Sequence, residues 1–331
     1  MKQLERGSLM LSMIADWIKS IATIISFLVI VALLVIVGAQ VLWPTPTIES
    51  ISAPESVQKW GYAPDVLAQK ISAETRRIAR NAERDFDVAY PRQWVGIQTV
   101  EAKIPGSDFT VRSAAQFISA LLNRPSKRVT GEITKIDNSF EVTLRISGGE
   151  SLSTKIISNN DRADSDNIVM KASEIVMQLT HPYVLAASLY NAERGDISSN
   201  FAKTISLLDY MIENKKELYY AHNLKCNVFL RLYKIEAAER ECNQAIQIDP
   251  ANWPAQANLG YLYYELATKG INWKTGVATE EAKKNCQKAT EQFNKAERKH
   301  PLRFLYGNWA RCLEVLGKPE EANRLRRRSE E

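Results

Sequence analysis

Apolar and polar positions alternate in three distinct ways along this chain, and each way predicts a different kind of structure. From Ile21 to Trp43 the pattern is almost unbroken, IATIISFLVIVALLVIVGAQVLW, with no charged residue between Lys19 and Glu49. At ~1.5 Å per residue such a run crosses the ~30 Å hydrocarbon core of a bilayer as one helix. Trp17 and Trp43 bracket it at the depth of an aromatic belt, and Pro44 and Pro46 end it. A core helix of this length would show a polar face, and only Thr23, Ser26 and Gln40 are polar here. A cleaved signal peptide, with Val37-Gly38-Ala39 as the site, is the other reading, but its apolar part would run about 7 to 15 residues.

Residues 44–62 mix Pro, Ser and Thr without a period and read as a juxtamembrane linker. A second pattern then takes over in residues 63–180. A helix beginning at Pro64 places Leu67, Ile71, Ile78 and Ala82 on one face. Val100, Ala102 and Ile104 alternate with polar neighbours as a half-buried strand. Val111, Ala114, Ala115, Ile118, Leu121 and Leu122 stripe another helix, capped by Ser107 or Asp108.

Val129, Gly131 and Ile133, a turn at Asp137-Asn138, and Phe140, Val142, Leu144 and Ile146 predict a hairpin. Lys155 to Ile157 adds a short strand, and a helix from Ser165 carries Ile168, Ala172, Ile175, Val176 and Leu179. The order αβαβββα is that of a small α+β domain with helices on one face of a mixed sheet. Its arrangement resembles the α/β domain that precedes repeat arrays in bacterial membrane-anchored regulators and envelope proteins.

In residues 181–331 strand signals vanish and paired helices follow one another. The segment Ala221 to Pro250 resembles a tetratricopeptide repeat, with Cys226, Phe229, Ala238, Cys242, Ala245 and Pro250 at the offsets where that family has small, aromatic, small, bulky, small and Pro residues. Cys242 departs from the bulky preference. Leu259, Gly260 and Tyr263, then Ala289, Phe293, Ala296 and Pro301, match a further unit interrupted by about 17 inserted residues around Ala267 to Glu281, expected as a loop or an extra helical turn. Ala310, Leu313, Gly317 and Ala322 match another unit, and Tyr183–Ala192 with Phe201–Ile212 form a degenerate first hairpin.

The resemblance implies a helical solenoid whose inner wall is lined by the first helix of each hairpin. Mapped onto this chain, the wall carries Asn223, Asn227, Leu230, Arg231, Tyr261, Tyr264 and Arg311, which would bind a protein or peptide partner. Family members that hold a terminal carboxylate use Lys beside the Asn residues; the equivalent positions in the next units are Ala257 and Gly307. In the family's geometry Cys226 and Cys242 face one another within one hairpin, which leaves both a disulfide and free thiols open.

Charge changes the picture in one place. Lys2, Arg6 and Lys19 precede the apolar run while Glu49 and Glu55 follow it, so residues 1–20 are expected in the cytosol and the bulk of the chain outside it, in the periplasm of a bacterial envelope. Leu9, Met10, Met13, Ile14, Trp17 and Ile18 share a helical face suited to the interface. The 43 Lys and Arg against 38 Asp and Glu are too dispersed to point to nucleic acid.

Candidate chemistry is sparse. The four cysteines form no CxxC pair, and the three histidines, His181, His222 and His300, have no second ligand at metal spacing. Asp161, Asp164 and Asp166 lack the Gly and closing Glu of a calcium loop. No cofactor, metal or catalytic residue is expected. The expected function is that of a membrane-anchored, non-enzymatic adaptor; the alternative is a regulatory subunit whose α+β domain senses an envelope signal and controls a partner enzyme.

Overall fold

The computed structural model describes residues 47–83, 117–118, 128–137, 139–147, 150–157, 162–251 and 253–330, together with scattered positions between 17 and 38. Part of the predicted membrane helix over 21–43 falls outside that set, as do the strand at 99–103 and most of the helix after Asp108. Where positions in the first stretch are described, they are helical: Phe27 to Ala32 are consecutive and all exposed. Among the described residues no helix is long and apolar enough to cross a membrane.

The chain divides into two compact units, Met1–Ser72 with Arg92–Val169 and Ala73–Pro91 with Met170–Glu331. The first is a small α+β unit. Strand β1 (Thr47–Ser52) is followed by helices α1 (Glu55–Lys59) and α2 (Pro64–Glu83), strands β2 (Arg128–Ile136), β3 (Ser139–Ile146) and β4 (Ser151–Ile157), and helix α3 (Arg162–Thr180); α2 from Ala73 and α3 from Met170 belong to the second unit. The sheet order is β1-β2-β3-β4, with β1 parallel to β2 and the other pairs antiparallel.

Asp137, at φ 50°, turns β2 into β3 where the Asp-Asn dipeptide predicts it. Cross-strand partners then share a face: Ile133 opposite Val142, Gly131 opposite Leu144 and Val129 opposite Ile146. That face is the buried one, with Val129, Phe140, Val142 and Leu144 fully covered, and Trp60 meets Phe140 edge-on at 5.8 Å. Val57, Leu67, Ile71 and Ile168 are fully buried on the helices of this unit.

The stretch expected as a linker therefore contributes a strand and a short helix. Its apolar residues, Ile48 and Ile51, are three apart, which breaks a period of two; the register shifts between them, and this irregularity reconciles the spacing with parallel pairing on β2.

The second unit is a run of packed helices: α4 (Pro182–Arg194), α5 (Ala202–Glu213), α6 (Leu218–Arg231), α7 (Ile235–Ile248), α8 (Trp253–Thr268), α9 (Glu280–Glu297), α10 (Tyr306–Val315) and α11 (Pro319–Glu330). They pair as hairpins, α4 with α5, α6 with α7, α8 with α9 and α10 with α11. Small residues make close approach possible. Cys226, Ala238, Cys242 and Ala245 are fully buried in the second hairpin, as are Ala289, Phe293 and Ala296 in the third and Ala310 and Ala322 in the fourth.

The inserted segment is neither a plain loop nor only an extra turn. A two-stranded hairpin, β5 (Ile271–Asn272) and β6 (Val277–Ala278), caps lengthened helices α8 and α9. Asn272 closes its turn by accepting from the backbone N–H of Lys274 and Thr275, and Gly276 supplies φ 70°. Thr279 then caps α9 by accepting from Ala282 N–H at 3.1 Å.

Cys226 and Cys242 are joined in a disulfide, with a Cα–Cα distance of 5.2 Å. Cys286 and Cys312 are buried free thiols; their mutual hydrogen bond and burial hold the Cys312 thiol well above its usual range.

A candidate partner-binding face on the helical run

The first helices of successive hairpins touch one another through polar side chains. Arg231 on α6 donates from Nε to the Tyr190 hydroxyl on α4 at 2.8 Å, and its guanidinium lies 5.9 Å from the Tyr190 ring centre. Asn258 on α8 donates from Nδ2 to Asn223 Oδ1 on α6 at 3.0 Å. Arg311 on α10 donates from Nη1 to the Tyr264 hydroxyl on α8 at 3.1 Å. These contacts join α4, α6, α8 and α10 as a row.

The expected wall residues do not all serve alike. Asn223 is 2% exposed and Tyr264 5%, so both are built into helix–helix contacts rather than presented to a partner. Asn227, Leu230 and Tyr261 are half-buried, while Arg231 and Arg311 are exposed. Burial, and then the hydrogen bond to Glu265, push the Tyr261 hydroxyl up to about 12.

Residues that the repeat pattern did not single out complete this face. Tyr190 belongs to the degenerate first hairpin and anchors Arg231. Trp273, 49% exposed at the tip of the inserted hairpin, receives the Arg311 guanidinium over its ring at 5.7 Å. Tyr233, 77% exposed, ends α6 at φ 54°, a backbone position that the fourth hairpin fills with Gly317 at φ 74°. The hydrogen bonds around the two are the same: Lys234 N–H reaches Phe229 O, and Lys318 N–H reaches Leu313 O. A Tyr held where Gly is cheaper costs about 1 kcal/mol and places an aromatic ring in solvent.

The densest titratable cluster of this unit lies elsewhere, among α5, α6 and α7. Lys225 Nζ is 2.7 Å from Asp209 and 3.3 Å from Glu241, and His222 Nδ1 is 2.6 Å from Glu241. Burial opposes the ionised Glu241 carboxyl, but the His222 hydrogen bond and the Lys225 charge outweigh it and hold the group below the usual carboxylate range. Charges neutralised in this mutual way tie three helices together. Among the described residues no group of three His, Cys, Asp or Glu side chains is placed to hold a metal ion. In the first unit Asp166 accepts from the Tyr62 hydroxyl at 2.8 Å, and Lys70 Nζ lies over the Tyr62 ring at 4.4 Å.

No protein-family model matches this chain, and no curated protein matches it either.

Proposed function

We propose that this protein is a membrane-anchored, non-enzymatic adaptor whose helical run, built of tetratricopeptide-like hairpins, binds a protein or peptide partner along the row α4, α6, α8 and α10. The observation that carries this reading is the face itself: exposed Arg231 and Arg311, each ordered by a Tyr hydroxyl, flank half-buried Asn227, Leu230 and Tyr261. Arg and Tyr dominate the energetics of protein interfaces because they offer large contact areas at modest entropic cost. The tetratricopeptide reading draws support from burial of the small residues at matching places in three hairpins, and from Gly260, beside which Phe293 takes up the room of a side chain.

The anchor is supported by Phe27 to Ala32. Six consecutive helical residues cover more than a full turn at 3.6 residues per turn, and all six are exposed among the described residues. Hydrocarbon is the environment that fits. A Cys226–Cys242 disulfide favours an oxidising compartment, in agreement with the charge bias that keeps residues 1–20 in the cytosol.

The test uses the full chain in detergent micelles as bait against a membrane extract, compared with Asn227→Ala plus Tyr261→Ala. Loss of the same captured protein in the double variant, at unchanged thermal stability, is the expected result. Capture indifferent to these substitutions removes the face from consideration.

A further inference from the structure

Resting on the reading above, we propose that the partner segment is acidic, and that it places one carboxylate on Arg231 and a second on Arg311. On α11, Arg326 and Arg328 sit on carboxylates, at 2.6 Å from Glu314 and 2.6 Å from Glu297. Arg231 and Arg311 differ: each donates one bond to a Tyr hydroxyl, and no carboxylate lies within ion-pair distance of either among the described residues. A guanidinium carries five N–H donors in a planar fork, so four remain on each for a bidentate carboxylate.

The two forks are also held ready. Tyr190 lies 5.9 Å from the Arg231 guanidinium and Trp273 lies 5.7 Å from that of Arg311, so ring contact and the Tyr bonds already hold side chains that would otherwise lose rotamer freedom on binding. The nearby carboxylate on this face, Glu265, accepts from the Tyr261 hydroxyl and forms no ion pair with either arginine among the described residues.

Two anchors on α6 and α10, with α8 between them, suit an extended segment more than a single compact anion. Asn227 and Tyr261 lie on the helices between and beside the forks, where an amide can meet a peptide backbone and a ring can meet a side chain. Anionic lipid would need the charges alone.

The experiment measures fluorescence anisotropy of a labelled twelve-residue peptide of alternating Glu and Ser against the full chain in neutral detergent, with the Gln–Ser peptide as its control. Arg231→Gln, Arg311→Gln and the charge-matched control Arg240→Gln on α7 are compared, with thermal unfolding of each variant. Expected is binding of the Glu peptide alone, weakened about tenfold or more by either wall substitution, as loss of a charge-assisted bond implies, and unaffected by Arg240→Gln. Raising salt should weaken it further.

Equal binding of the Glu and Gln peptides overturns the proposal, and so does equal loss in the Arg240 variant. Binding of phosphatidylglycerol vesicles with no affinity for the Glu peptide overturns it in favour of a lipid surface. If the Asn227 and Tyr261 substitutions abolish partner capture while the Glu peptide does not bind, the face stands and its acidic preference falls. If they change neither assay, the face itself is lost.

Discussion

The ring of Phe293 occupies the place where Gly260 would carry a side chain: a Cβ there would stand 2.6 Å from Cδ1 and 2.7 Å from Cε1. Phe293 is fully buried, so displacing its ring would disturb the packing around it. Gly260→Ala should therefore destabilise the helical unit by about 1 to 3 kcal/mol through overpacking, even though Ala is the better helix former. Adding Phe293→Leu, which vacates the ring, should recover part of that loss. A double-mutant cycle on thermal midpoints reads the coupling, and additive effects would show that the two residues do not compete for space.

Reduction of the disulfide offers a second measurement. Cys226 and Cys242 close a loop of 16 residues in sequence separation, for which the chain-entropy account gives about 3 kcal/mol. Replacing both by Ala should lower the midpoint of the helical unit accordingly. Because both are fully buried, the native protein should resist dithiothreitol until denaturant opens it. Rapid reduction without denaturant would contradict the burial.

The Lys225–Glu241–His222 cluster sets a pH dependence whose sign follows from the shifts. Glu241 titrates below its unfolded value of about 4.3, so its stabilisation is present above that pH and fades as pH falls through the lower, folded value. Burial opposes the Lys225 charge, yet Asp209 and Glu241 raise its folded value, so its share is present below about 10.4 and is lost as pH rises beyond it. Glu241→Gln should cost about 1 to 3 kcal/mol at neutral pH and flatten the acid limb of a stability profile. An unchanged acid limb would place the titration elsewhere.

Strand β1 supplies a fourth expectation. A fragment beginning at Ser56 lacks the strand that pairs with β2 and buries Ile51, whereas one beginning at Pro44 keeps both. The shorter fragment should unfold at lower denaturant and bind more of a dye that reports apolar surface. Equal midpoints would show that β1 adds nothing to the sheet.

How far the sequence led depends on where its local signals agreed with the long-range ones. The β2–β3 hairpin was legible because a period of two and an Asp-Asn turn reinforced one another, and the paired helices because small residues recur at fixed offsets. β1 was hidden, since Ile48 and Ile51 stand three apart and their partner strand lies far along the chain. The inserted hairpin was hidden because Ile271-Asn272 and Val277-Ala278 are too short to show a period.

At the candidate face, the repeat pattern named residues on α6, α8 and α10 without telling outward side chains from those turned to the next helix. Asn223 is held by Asn258, and no spacing rule predicts which of two neighbouring amides is covered. Tyr190 escaped notice because its hairpin lacks the signature residues, and Trp273 because it arrives from an insertion.

Parallel pairing of β1 with β2 has a bearing on how the molecule comes into being. Thr47 leaves the ribosome long before Arg128, its neighbour in the sheet. Throughout that interval the early strand has nowhere to dock, and the β2–β3–β4 meander, once made, presents a bare edge until the older segment returns to it. Closure of this sheet edge therefore waits on synthesis of Arg128–Ile136, some eighty residues after the strand it will hold.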